Sequence, residues 1–488
     1  NVAIGHYALQ RCTVGERNTA LGRIVLEDVT TEDDNTGVGY NALANNTASD
    51  NTAVGASAAS ANTTGTRNTV VGKSAFSANT TGSKNVAIGE NALLSNTTAD
   101  DNTAVGVGAL DANTTGASNT ALGRNTLTDN TTASNNTAVG ASALLANTTG
   151  ATNHAFGANS LDANTTGNSN VAMGKDSLGA NTTGSTNTGV GHDALKTNTT
   201  GGRNTAFGAY AISLFNNTAG TSTYNTGIGY AAGYSITSGL QNTVLGGLAL
   251  YSGTTCTDNT AIGYNALKEN TTGIDNVAVG AYALDAVTTV SSQTAVGYQA
   301  LTSSTSGTKN NAFGFRALYV NTTGGQNLAV GCHSLIANTT GSYNVAVGHN
   351  SLFKNVTNHK NTAVGTEALY DMTATFNTAL GYRAGYLIDN DENTAIGAEA
   401  LYNGAGGYRN TALGFRAGYS TTSGDYNTHI GSYAGYSNTT DSYTTFVGYF
   451  AGYYNTTGSG GGYSVGVGAN AVKGQNGASG YYNTGLGF

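Results

Sequence analysis

Apolar residues along this chain come in two short bursts that recur every 17 residues, separated by Gly, Asn and Thr. Numbered from the residue that opens each copy, the bursts occupy positions 2 to 4 and 8 to 9, as in Asn102 to Ser118, which reads N-T-A-V-G-V-G-A-L-D-A-N-T-T-G-A-S. Position 4 is apolar and position 5 is Gly in all twenty-nine copies, from Ile4-Gly5 to Leu486-Gly487, and Asn opens every copy except those of Gln293, Thr444 and Ser464. Of the twenty-eight steps between copies, twenty-two are 17 residues, three are 16, and the others are 21, 20 and 19. The irregular steps mark loop insertions. The longest is expected at Ser213, Leu214 and Phe215, ahead of Asn216, and the other two fall in the copies opened by Thr444 and Ser464.

A period of 17 is too short for a helix–turn–helix unit, and Gly at positions 5 and 15 would break a helix in every copy. Short apolar bursts between turn formers predict short strands joined by tight turns, one repeat making one rung. The expected fold is therefore all-β: a parallel β-solenoid, or β-roll, of about 28 rungs. At ~4.8 Å per rung it would be on the order of 130 Å long. Alternation places positions 2 and 4 on one strand face and 3 and 5 on the other. The bulky side is the natural choice for the interior, so Val54, Val71, Ile88 and Val105 at position 4, with Leu93 and Leu110 at position 9, are the expected core. The small residues, among them Gly55, Gly72, Gly89 and Gly106, would let a neighbouring backbone come close. Two bulky residues per rung make a thin core, each worth roughly 2 kcal/mol, so association of chains along the small-residue face is expected to help. No separate globular domain is predicted. Residues 1–224 are regular Thr/Asn-rich repeats, and 225–488 are Tyr-rich repeats continuous with them.

Composition narrows the functional classes. With 70 glycines, no proline and 9% charged residues the chain would pass for low complexity, yet its apolar positions hold phase over 488 residues, which disorder does not do. The formal charge is −8 with only 19 basic residues, so no basic stripe exists for phosphates and no nucleic-acid partner is expected. No run of 18 apolar residues is present, so no direct membrane insertion by a helix is expected. Cys12, Cys256 and Cys332 fall at positions 12, 15 and 6 and cannot stack on one another, which argues against a disulfide framework. The chain begins and ends inside the motif with no polar cap in view, as expected of a segment of a longer protein.

Several side-chain patterns bear on function. Identical Asn residues at position 1 are expected to form an amide ladder. Asn62, Asn79, Asn96, Asn113, Asn130 and Asn147 each begin N-T-T, an acceptor pattern for N-glycosylation on what is expected to be an exposed turn. Thr recurs at positions 2, 13 and 14, the raw material of an ice-binding face. Of 28 tyrosines, four precede Asn225; in the later half Leu at position 9 gives way five times to Gly followed by Tyr, as in Gly385-Tyr386. An aromatic at position 10 is expected to cover the hole left by the missing Leu. Tyr230, Tyr264, Tyr298, Tyr382 and Tyr449, all at position 6, are the aromatics expected at the surface, suited to stacking on sugars or on another fibre. His333 and His349 sit on neighbouring rungs at positions 7 and 6, a pair without an evident third ligand, so no metal or cofactor is expected. No Ser-His-Asp set can be placed, and no enzyme is expected.

The stretch Asn85-Val86-Ala87-Ile88-Gly89, and again Asn344-Val345-Ala346-Val347-Gly348, resembles the head repeats of trimeric autotransporter adhesins. The longer form N-T-A-V-G-x-x-A-L-x-x-N-T-T-G looks like repeats of bacterial and phage tail-fibre-like proteins. The resemblance implies a left-handed, trimeric β-roll outside the cell, on a cell surface or virion, as the shaft or head of an adhesive or scaffolding fibre. It implies self-association as a homotrimer or filament and host-surface glycans as partners. The adhesin repeats are commonly shorter than this one. A phage tail-fibre shaft, and an ice-binding or glycan-coated surface filament, are the alternatives.

Overall fold

A computed structural model describes residues 1–218, 222–404, 406–455, 462–474 and 482–488. Every repeat contributes one three-residue strand at positions 2 to 4, all pairings are parallel, and no helix occurs among the described residues. The chain is an all-β parallel solenoid with one repeat per rung. It divides into two compact units, Asn1–Gly247 and Leu248–Phe488. The first holds β1 (Val2–Ile4) to β15 (Thr243–Leu245), and the second holds β16 (Thr260–Ile262) to β29 (Thr484–Leu486). Within each unit like pairs with like: Thr103 lies opposite Thr120, Ala104 opposite Ala121 and Val105 opposite Leu122.

Hydrogen bonds between rungs extend well beyond the strands, which is how so short a strand suffices. In the rung opened by Asn102, the amides of Thr103, Leu110, Ala112 and Thr114 donate to carbonyls of the following rung, and those of Gly106, Gly108 and Ser118 donate to the preceding one. The turns between need left-handed backbone at positions 7, 9 and 17, and most residues there are not glycine: Asn91, Leu93 and Asp101 have φ of 58, 51 and 60°. Position 5 is stricter. Gly106 has φ of 143°, and a Cβ built on it would lie against the carbonyl oxygen of Gly123 on the next rung. Gly55, Gly72 and Gly89 meet the next rung in the same way. The close approach expected at this glycine is real, and it is between rungs of one chain.

The strand faces are the reverse of the expected ones. Position 3 is interior: Ala53, Ala87 and Ala104 are fully buried. Position 4 points out, with Val54 37%, Val71 39% and Ile88 37% exposed and Val105 half-buried; none of the four is core. Leu93 and Leu110 are fully buried, as expected. The reason is width. The space inside a rung is taken largely by Leu at position 9 and by buried Asn at positions 1 and 12, so position 3 is Ala or Gly in most rungs, with Val70, Val244, His429 and Phe446 as the buried exceptions. Where position 3 is Gly the neighbours are larger, so a Cβ on Gly37 would strike Val25, and one on Gly227 would strike Ile212.

The same volume exchange explains the position-9 glycines. Gly385 faces Ile388 and Leu369, Gly233 faces Ile236, Gly435 faces the His429 ring and Gly452 the Phe446 ring. The missing Leu is replaced from inside, by Ile at position 12 or by an aromatic at position 3. Tyrosine at position 10 points the other way and fills nothing there. The long copy opened by Asn204 also differs from expectation. Ser213, Leu214 and Phe215 keep register, Leu214 donating to the Tyr234 carbonyl and Asn216 to that of Thr237. Phe215 stands fully buried at position 12, so the expected insertion is not at these residues. The two late insertions lie outside the described residues.

Candidate functional site

Two asparagine rows run through the interior. At position 1, Oδ1 accepts from the backbone amide of the next opening residue and Nδ2 donates to the carbonyl of position 15: Asn102 Oδ1 accepts from the Asn119 amide at 2.9 Å, and Asn102 Nδ2 reaches the Gly116 carbonyl at 2.9 Å. At position 12 the bonds run from amide to amide. Asn113 Nδ2 donates to Asn96 Oδ1 at 3.1 Å and to the Gly116 carbonyl at 2.9 Å. This second row is unbroken from Asn46 to Asn198. The amide ladder expected at position 1 is present there in part, as where Asn85 Nδ2 donates to Asn68 Oδ1 at 3.3 Å and Asn170 Nδ2 to Asn153 Oδ1 at 3.2 Å, and a second, more regular one runs at position 12. It ends where Phe215 takes the next place, leaving the buried Asn198 Oδ1 without a partner.

The turn bearing the N-T-T acceptor pattern is not exposed at its asparagine. Asn62, Asn79, Asn96, Asn113, Asn130 and Asn147 are fully buried, with Nδ2 committed to the ladder. A sugar on Nδ2 would remove a donor and would need space that the packed rung does not have, so the expected acceptor sites are not available in the folded chain. The Thr at position 13 is also engaged, Thr63 Oγ1 donating to the Thr80 carbonyl at 2.7 Å.

The outer surface carries two organised features. The first is the strand face itself. Thr or Val at position 2 flanks a row of apolar side chains at position 4, in which Leu122 is 46%, Met173 43% and Leu245 44% exposed in the first unit and Phe313 38%, Leu380 49% and Leu413 42% in the second. The second is aromatic. Tyr230, Tyr264, Tyr298, Tyr382 and Tyr449 are exposed, and the row continues edge to face through Tyr282 to Tyr298, with Phe315 stacked on Tyr298 at 5.5 Å. At position 10 Phe353, Tyr370, Tyr386, Tyr402, Tyr419, Tyr436 and Tyr453 form a continuous half-buried stack with centroids 4.9 to 5.1 Å apart. Ion pairs at position 7 run beside it, Arg383 with Glu367 and Arg416 with Glu399, each at 2.6 Å. The sequence pointed to single tyrosines; one ring per rung at constant phase was the signal that would have found the stack.

Titratable groups gather at few places. His429 occupies interior position 3, bonded to Thr444 Oγ1 at 3.0 Å and stacked on Phe446 at 5.4 Å; burial pushes its imidazole down to about 3. Burial pushes the Cys256 thiol up to about 12, where it fills the space beside Gly253 as an inert interior residue. Among the described residues two clusters bring three metal-ligating side chains together: Cys332, His333 and His349, and Asp176, His192 and Asp193. The second adjoins a notch of about 360 Å³ lined by Asp162, Asp176 and Lys196, where Lys196 binds Asp193 at 3.1 Å and Lys175 lies 3.6 Å from Asp176.

Such a surface defines a class by its fold alone: a β-solenoid repeat protein. Set against protein-family models and curated sequences, the chain matches none.

Proposed function

We propose that this chain is a non-enzymatic structural element of an extracellular fibre, adhesive or scaffolding, that assembles with copies of itself through the Thr/apolar strand face. The observation that carries the reading is that position 4 is exposed or half-buried, and never fully buried, on every rung. A row of Val, Ile, Leu, Met and Phe at this exposure amounts to on the order of 1,000 Å² of apolar surface in each unit, beyond what a lone soluble chain tolerates and of the size a specific interface buries. Position 2 adds Thr and Val, which pack flat. The face that associates is therefore 2 and 4, and the small-residue face of positions 3 and 5 is spent on the interior. The exposed Tyr230, Tyr264, Tyr298, Tyr382 and Tyr449 remain for an outside partner, and rings of this kind suit host-surface glycans. A phage tail-fibre shaft would use the same face and the same rings.

Replacing Val54, Ile88 and Leu122 together by Lys tests the reading. The variant should keep the wild-type circular dichroism, because these side chains are not interior, and should sediment as single chains where the wild type sediments as an assembly. A variant that sediments like the wild type would overturn the assignment of this face.

A further inference from the structure

Histidine pairs on a repeat surface are commonplace, but the pair His333 and His349 has Cys332 beside it. Cys332 and His349 share position 6 on consecutive rungs, and His333 follows Cys332 at position 7. Rung stacking thus brings together three residues that the sequence separates by up to 17 places. Their ligand atoms, one sulfur and two imidazole nitrogens, all lie within 4.8 Å of one another. We propose that Cys332, His333 and His349 form a binding site for a borderline-soft divalent cation, Zn²⁺ being the natural occupant.

The chemistry fits the donors. Thiolate and imidazole are the ligands zinc takes in preference to hard oxygen. A tetrahedral zinc with bonds of about 2.3 Å to sulfur and about 2.0 Å to nitrogen sets its ligand atoms roughly 3.5 Å apart. Closing from 4.8 Å asks for side-chain rotations that move the ligand atoms by about 1 Å, without any movement of the rungs. Cys332 and His333 are half-buried and His349 is exposed, so three protein ligands leave the fourth position open toward solvent. The His333 ring is backed edge to face by Phe315 at 5.3 Å and Phe353 at 6.4 Å, and its backbone amide is tied to the Phe315 carbonyl. Arg316 on the preceding rung is held by Gln299 Oε1 at 2.8 Å and lies over the Phe315 and Tyr319 rings. The cluster at Asp176, His192 and Asp193 is poorer, since it offers no sulfur and its carboxylates already pair with Lys175 and Lys196. Bound metal would clamp two successive rungs through side chains alone.

Equilibrium dialysis of the whole chain against Zn²⁺, and absorption spectra with Co²⁺ as the probe, test the proposal. One equivalent should bind. The Co²⁺ form should show a sulfur-to-metal charge-transfer band, and Zn²⁺ should raise the thermal midpoint. Cys332→Ser and His333→Ala should each weaken binding at least about tenfold, and Cys332→Ser should abolish the charge-transfer band, while His192→Ala leaves both unchanged; circular dichroism of each variant checks that it is folded. A Co²⁺ spectrum without a thiolate band, or undiminished binding by Cys332→Ser, would overturn the site.

Discussion

At position 5 a side chain has nowhere to go, because the backbone is left-handed and the next rung's carbonyl lies where Cβ would be. Gly106→Ala is expected to cost about 3 kcal/mol or more, read as a lowered urea midpoint. This glycine was legible from its invariance. The direction of its neighbours was not, because alternation separates two faces without saying which is inside, and bulk was a poor guide in a coil whose interior strand position is mostly Ala. Interior volume is conserved in pairs, and His429 with Gly435 is the clearest. In His429→Ala/Gly435→Leu the Leu should refill the space left by the ring, so the double variant should be more stable than His429→Ala alone, a coupling that a double-mutant cycle reads. His429 also makes its region sensitive to acid. The unfolded chain takes up its proton near 6.5, while the buried imidazole resists until about 3. Its stabilising contribution is therefore whole above pH 6.5 and is lost as pH falls toward 3, with about 2 kcal/mol gone at pH 5. Denaturant titrations at pH 7 and pH 5 should show that loss in the wild type and not in the double variant.

At the scale of the rung, the strands are only three residues long, and the amide rows do much of what longer strands would do. Asn113→Ala would leave Asn96 Oδ1 without its donor and the Gly116 carbonyl short of one of its partners, all inside the coil. It is expected to cost about 2 to 3 kcal/mol, with hydrogen-exchange protection falling first in the rungs next to the substitution. The N-T-T tract shows why motif reading stopped short. Its spacing marks a turn correctly, but an acceptor pattern says nothing about which way the amide points, and in a stacked coil the repeat itself rewards an inward Asn. The strand positions, the parallel register and the turn glycines followed from period and composition. The left-handed Leu at position 9 and the position-10 aromatic stack did not, since both depend on how one rung sits on the next. That Cys332 lies beside the His333 and His349 pair was not read either, because position 6 of one rung meets positions 6 and 7 of its neighbours only once the rungs stack.

At the scale of the whole molecule, both units turn the same chemistry outward, an apolar row beside a Thr/Val row, and hold their polar amides within. Copies of the same chain offer a matching face at the same rung spacing, which is the simplest cover and the one proposed here. The 17-residue period and the parallel coil could be read from the sequence; which strand face is exposed could not, because the small residues of position 3, expected outside, are the ones the interior holds. The most direct test is the mass of the purified chain in dilute solution by multi-angle light scattering. Self-association predicts an integer multiple of 49.0 kDa, with three chains as the number the adhesin-like repeats imply, whereas a stable species of 49.0 kDa would contradict it.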